Sequence, residues 1–219
     1  MSVVSEIGPS INEDAVLWSV PEADRQGKHL LVMMHGWGYD ETHLFQLTPC
    51  LPGELVVASL RAPIPEAGGY AWFPSKGNPI GNPRPAVANA MTDAVLEWLD
   101  AQPRFSSVGL IGFSQGGGMA LQLLRRAPTR FSYAAQLAGF VVNDSQPGDR
   151  LLADSKLPVF WGRGGLDGVI PNDAIARTRN WMVTHTDADI RVYPRLGHDV
   201  AGREVDDLAA FIARRTEVG

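Results

Sequence analysis

The sequence predicts an α/β fold with a mainly parallel central sheet and helices on both of its faces. Two observations point there. Short apolar runs of strand length alternate with longer segments whose apolar residues recur at helical spacing. Several of the short runs are apolar throughout, the mark of strands buried on both faces, as parallel strands under crossover helices are. At 219 residues, 45% of them hydrophobic, the chain is long enough for a full core without metal or disulfide staples, and it reads as one domain spanning 1–219.

The strand-length runs are HLLVMM at 29–34, LVVASL at 55–60, SVGLIGF at 107–113, YAAQLA at 133–138, LPVFW at 157–161 and DIRVY at 189–193. An earlier run, AVLWSV at 15–20, suits an antiparallel edge strand. Pro85 opens a helical pattern whose apolar face is Val87, Met91, Ala94, Val95, Trp98 and Leu99, with Pro103 just past its end. Residues 115–127 carry Met119, Leu121, Leu123 and Leu124 and stop at Pro128. A third pattern follows Pro171 through Ile175, Trp181 and Met182, and the last has Val205, Leu208, Ala209 and Ile212 on one face. Right-handed crossovers join such strands and helices. Between 61 and 84 the spacing of Pro63, Pro65, Pro74, Pro79 and Pro83, with four interspersed glycines, predicts a long irregular loop, and a loop of that length in a compact unit is usually functional.

Charge and cysteine content narrow the function classes. There are 19 Lys and Arg against 24 Asp and Glu, a formal net charge of −5, which suits neither nucleic acid nor an anionic membrane surface. No run approaches the roughly 20 apolar residues of a membrane helix. Cys50 is the single cysteine, and MSVVSEIGPSINED shows no basic segment followed by an apolar one, so the expectation is a cytoplasmic protein with a small-molecule partner. The 23 glycines fall in clusters, and the clusters lead to the chemistry.

Gly112-Phe113-Ser114-Gln115-Gly116 reads G-x-S-x-G between an apolar strand and a helix. A nucleophile on so tight a turn sits in a strained backbone conformation, and side chains two residues before and after it would collide, hence glycine there. The bare pattern also occurs as a glycine-rich turn; its strand-turn-helix setting is what favours a nucleophile at Ser114. A serine hydroxyl needs a general base oriented by a third group. His198, in Leu196-Gly197-His198-Asp199, lies beyond the last strand, and Asp167, in Gly164-Gly165-Leu166-Asp167-Gly168, beyond the strand before it. Both positions are at strand C-terminal ends, where α/β sheets place ligands, and the order Ser, Asp, His is that of α/β hydrolases. Asp167 can equally be a turn residue ahead of the Pro171 helix, and His198 a solvated loop histidine. Asp199 is a competitor for the acid role, but neighbours rarely present side chains to one ring nitrogen. His29, His43 and His185 read as structural or solvated.

The intermediate of acyl transfer carries an oxyanion that needs two preorganised donors. The backbone amide of Gln115 is one candidate; the other is that of Trp37, in His35-Gly36-Trp37-Gly38 directly after the 29–34 strand. His35 itself reads as a brace for that loop. No metal-ligand spacing and no phosphate-binding glycine loop is present in the sequence, so neither metal nor cofactor is expected.

Taken together, HGWG at 35–38, RAP at 61–63, GGYAWF at 68–73, GFSQGGGMAL at 112–121, GLDGVIP at 165–171 and GH at 197–198 resemble the phospholipase/carboxylesterase family of α/β hydrolases, which includes the acyl-protein thioesterases. The resemblance implies the α/β-hydrolase fold, Ser114, Asp167 and His198 as a triad, and Trp37 and Gln115 as oxyanion donors. It also implies that 68–73 lies beside the acyl groove, which makes Trp72 and Phe73 candidate substrate contacts; otherwise they anchor a proline-rich loop. Family members often continue this motif with Asp and a short helix, whereas here Pro74-Ser75-Lys76-Gly77-Asn78-Pro79 follows, a difference that bears on substrate class. The expected activity is hydrolysis of a carboxylic ester, with thioester or lysophospholipid as variants. An amidase or a metabolic thioester hydrolase with the same triad is the alternative enzyme, and a non-catalytic binding protein of this fold the alternative outside enzymes.

Overall fold

A computed structural model of the protein describes residues 8–216. Residues 1–7 of the N-terminal stretch read above, and the last three residues of the expected 1–219 domain, lie outside the described residues.

Among the described residues, seven strands form one sheet: β1 (Leu17–Trp18), β2 (His29–Met34), β3 (Leu55–Leu60), β6 (Ser107–Phe113), β7 (Tyr133–Leu137), β8 (Pro158–Gly164) and β9 (Asp187–Tyr193), in the spatial order β1-β3-β2-β6-β7-β8-β9. Only β1 runs antiparallel, pairing Leu17 with Ser59 at the edge, as the 15–20 run suggested. Two further strands, β4 (Ile64–Glu66) and β5 (Gly69–Ala71), make a separate hairpin. The helices are α1 (Thr42–Phe45), α2 (Pro85–Asp100), α3 (Gln115–Arg126), α4 (Asp149–Ser155), α5 (Asn172–His185) and α6 (Arg203–Thr216).

The central strands are mostly apolar because alternate residues feed two cores. From β2, Leu30, Val32 and Met34 face one layer with Met91 and Val95 of α2, Met119 and Leu123 of α3 and Met182 of α5. Leu31 and Met33 face the other, with Leu44 of α1 and Leu208, Phe211 and Ile212 of α6. Those three α6 side chains are fully buried, and each such burial stabilises by roughly 1.5–3 kcal/mol. A polar replacement on either face of β2 therefore lands in a core. Proline placement sets helix boundaries as expected: Pro85 occupies the first turn of α2, where its missing N–H costs nothing, and α3 ends at Arg126, ahead of Pro128.

The structure corrects the sequence reading in three places. The 61–84 segment is not irregular throughout but contains the β4-β5 hairpin, closed by a two-residue turn. Helices α1 and α4 add to the pattern read from the sequence, being too short to display a periodicity. β8 runs past Trp161 to Gly164, and β9 begins at Asp187. No described helix is long and apolar enough to cross a membrane.

Candidate active site

The loops singled out in the sequence follow the C-terminal ends of β2, β6, β8 and β9, and the sheet order brings them to one edge. Ser114 is the hinge between β6 and α3, at φ 54° and ψ −113°, a backbone conformation that non-glycine residues rarely adopt. Its amide donates to Leu137 O (2.9 Å) and its carbonyl accepts from Gly118 (3.0 Å), so the surrounding ladder holds the strain in place. The flanking glycines are required by contact: a Cβ on Gly112 would lie 2.0 Å from Gly116 O, and one on Gly116 would lie 1.9 Å from Met34 O. The elbow thus fits against β2 only without side chains at both positions.

Three of the expected residues meet side chain to side chain. His198 Nε2 lies 2.9 Å from Ser114 Oγ, and His198 Nδ1 lies 2.8 Å from Asp167 Oδ2. A carboxylate can only accept, so Nδ1 carries the proton and donates to Asp167; the Nε2 lone pair then accepts from the serine hydroxyl. The other oxygen of Asp167, Oδ1, accepts from the amides of Val169 (2.8 Å) and Ile170 (3.2 Å). The turn bonds and the contact to His198 are therefore made by different oxygens of Asp167. Asp199 accepts from Val200 N at 2.7 Å and makes no bond to His198.

Ser114, His198, Trp37 and Gln115 border a cavity of about 720 Å³. No acceptor among the described residues takes the backbone N–H of Trp37 or Gln115. The Gln115 side chain fastens the 72–73 segment to the elbow: Oε1 accepts from the amides of Trp72 (3.0 Å) and Phe73 (3.1 Å), and Nε2 donates to Phe73 O (2.8 Å). Phe73 lines the cavity; Trp72 does not. Trp72 is fully buried and its indole donates to His35 O at 3.0 Å, so it anchors the loop rather than meeting a ligand. The remaining wall was not legible in the sequence: Phe140, Val169, Tyr39 and the 78–83 segment with Ile80. Loop residues of this kind carry no periodicity, and only the proline spacing of 61–84 and the departure after Phe73 mark the 78–83 segment in the sequence.

His35 braces the 35–38 loop, as expected. Fully buried, it donates from Nδ1 to Gly36 O (2.7 Å) and accepts at Nε2 from Ala62 N (3.1 Å). Burial pushes its pKa down to about 4, so it is neutral at working pH. On the far side, Glu204 of α6 is fully buried with its carboxyl against Gly162 and finds no hydrogen-bond partner among the described residues. Burial, with Asp199 adding to it, pushes its pKa up to about 8 from an ordinary 4.5. Between these values the folded protein holds a proton that the unfolded chain releases, so stability falls as pH rises through the window. His35 acts oppositely, but only between about 4 and its ordinary 6.5. From pH 6.5 to 8 His35 no longer opposes it, and the Glu204 effect runs at up to about 1.4 kcal/mol per pH unit. In urea unfolding across that range, wild type is expected to lose stability with pH, and Glu204→Gln is expected to flatten the slope; equal slopes would remove Glu204 from the account.

Comparison with known proteins agrees with this architecture. The family model for phospholipase/carboxylesterase matches residues 17–216. The chain belongs to that family. It is similar to acyl-protein thioesterase 1 of Saccharomyces cerevisiae, with 25% identity over 82% of this chain and 86% of the yeast protein, and to esterase YpfH of Escherichia coli, with 26% identity over 85% of this chain and 82% of the other. Among solved structures, a carboxylesterase from Bacillus cereus matches with a TM-score of 0.75 at 18% identity, covering 91% of this chain and 93% of its own; one from Mesorhizobium loti matches at 0.72 and 20%, covering 94% and 99%. The fold is that of α/β-hydrolase esterases, and the protein is a hydrolase of the carboxylesterase/thioesterase type.

Proposed function

We propose that the protein hydrolyses carboxylic esters through an acyl-enzyme formed on Ser114. The observation that carries this reading is the chain of contacts from Ser114 Oγ through His198 to Asp167 at the edge of an apolar cavity. Ser114 attacks the carbonyl carbon as His198 Nε2 takes the hydroxyl proton, and Asp167 stabilises the imidazolium that forms. The backbone amides of Trp37 and Gln115 receive the oxyanion. On collapse, His198 returns the proton to the leaving alcohol, and water then cleaves the acyl-enzyme by the same route. The whole cycle runs on these side chains and two amides, with no cofactor.

The cavity wall informs the substrate. Apart from His198, the cavity is lined by apolar and uncharged residues, with Phe73, Phe140 and Ile80 contributing to its wall. A carboxylate or ammonium placed among them would lose its hydration without a partner, so the buried portion of the substrate is uncharged. The similarity to a yeast acyl-protein thioesterase supports a thioester as a second bond type. A cytoplasmic location fits the lone, unpaired Cys50. The test is hydrolysis of p-nitrophenyl esters, in which the butyrate and octanoate should turn over with kcat/KM at least about tenfold above a hemisuccinate ester of matched length. Equal turnover of the charged ester would contradict the substrate reading, and hydrolysis of none would contradict the activity itself.

A further inference from the structure

The β4-β5 hairpin has no part in the main sheet, yet it is fitted closely to the oxyanion loop. Its turn residues Ala67 and Gly68 both have positive φ, 56° and 81°, the twist that two-residue hairpin loops require and that alanine adopts only at a cost. Two strands of three residues are marginal alone; this hairpin is held by what it touches. Gly38 N donates to Tyr70 O (2.9 Å) and Tyr70 N donates to Tyr39 O (2.8 Å), joining β5 to the loop after β2 as a further rung of ladder. Gly69 permits the approach, since a Cβ there would lie 2.2 Å from Gly38 O.

At the end of β4, Glu66 reaches both sides of the cavity mouth. Its Oε2 accepts from the indole Nε1 of Trp37 at 3.0 Å, and its two oxygens accept from Ser75 N at 3.1 and 3.0 Å, while Ser75 Oγ donates to Oε1. Trp37 and Ser75 both line the cavity, and they are far apart in sequence. These donors hold the Glu66 carboxyl below the usual carboxylate range. Hydrogen bonds to an ionised acceptor are roughly twice as strong as neutral ones, and no cation among the described residues competes for the carboxylate.

We propose that Glu66 is a positioning residue: its carboxylate clasps the Trp37 indole to Ser75, fixing the loop that presents the Trp37 amide to the oxyanion and, by the same bonds, the cavity wall that begins at Ser75. The inference rests on the esterase reading above. Trp37 is otherwise half exposed, so without the clasp its segment gains freedom, and misplacement of a donor near the reacting atoms reduces turnover more than ground-state binding. Glutamine is the informative replacement. It keeps the shape but removes the charge: the carbonyl oxygen can still take Trp37 Nε1 and Ser75 N, and the NH₂ can meet the Ser75 hydroxyl, so each bond survives only at neutral strength and the clasp loosens.

The experiment compares wild type, Glu66→Gln, Trp37→Phe and the double variant. Trp37→Phe removes the indole N–H and keeps the backbone amide. Each is assayed for kcat and KM on p-nitrophenyl butyrate and decanoate, for inhibition by an alkyl trifluoromethyl ketone, which becomes an oxyanion adduct on the serine, and for melting temperature. The clasp predicts that Glu66→Gln lowers kcat by about tenfold with KM on butyrate within about twofold. It also predicts that the ketone binds more weakly in proportion, that the decanoate-to-butyrate ratio changes, and that the double variant loses little more than the worse single. Unchanged kcat and ketone inhibition in Glu66→Gln would overturn the inference, as would a lower melting temperature with unchanged ketone inhibition, or fully additive losses. An inactive wild type would overturn the esterase reading and the clasp with it; an active wild type indifferent to Glu66→Gln overturns the clasp alone.

Discussion

Replacing Ser114 by alanine is expected to lower kcat for ester hydrolysis by about 10⁶-fold while leaving the protein as stable as wild type. The stability half of that expectation comes from the elbow. Its strain lies in the backbone, at φ 54°, and in the Gly112-Gly116-Met34 interlock, none of which involves Oγ. Among the described residues the hydroxyl bonds only to His198 Nε2, a partner reachable from the cavity. The activity half follows because nothing else in the cavity wall can attack a carbonyl with His198 as base. Of the other lining hydroxyls, Ser75 is engaged with Glu66, and the Tyr39 phenol makes no bond to His198, whose Nε2 meets Ser114. What should survive is a residual rate from the oxyanion amides and substrate binding, roughly 10³–10⁴ above water. Melting temperature and steady-state hydrolysis of p-nitrophenyl butyrate check the two halves independently, and retention of even a hundredth of the activity would move the nucleophile elsewhere.

Asp167→Asn should cost about 10⁴-fold in kcat, and the local hydrogen bonds say why. Asp167 Oδ1 already accepts from the amides of Val169 and Ile170, and only an oxygen can do that. Asparagine therefore keeps its carbonyl oxygen on those amides and turns its NH₂ toward His198 Nδ1. That nitrogen must then accept, which places the ring proton on Nε2, facing the Ser114 hydroxyl it should deprotonate. The fold keeps its turn while the base is in the wrong tautomer. Accordingly, the melting temperature should hold and kcat should fall, whereas near wild-type turnover would shift the acid role to Asp199 or to another carboxylate.

How much of the molecule is legible in its sequence depends on which kind of constraint sets each part. Strands buried on both faces, such as 29–34 and 55–60, are visible because nearly every residue is apolar, and helix limits at Pro85 and Pro128 because proline leaves few alternatives. The loops of the candidate site are visible because the proposed chemistry demands particular residue types beside glycines at strand ends, which makes Ser114, Asp167 and His198 readable as candidates, and the fold brings the three into contact. The cavity wall was not. Whether Trp72 or Phe73 faces the cavity depends on a register fixed by Gln115, through bonds that join residues more than forty positions apart. Both are aromatic, and residue type alone cannot rank them. Glu66 likewise reads as an ordinary surface acid until the fold sets Trp37 and Ser75 against it. Glu204 sits in a helix whose apolar face was recognised, and its burial comes from the space left at Gly162, a contact between distant segments.

The central claim is that Ser114 is a nucleophile activated by His198 and becomes covalently acylated. The most direct measurement is mass spectrometry of the protein after reaction with a fluorophosphonate, on wild type, Ser114→Ala and His198→Ala. The account predicts one adduct per chain on wild type, located on the peptide carrying Ser114, absent from Ser114→Ala and formed at least about 10³-fold more slowly in His198→Ala. An adduct on any other residue, or undiminished labelling of Ser114→Ala, would contradict it.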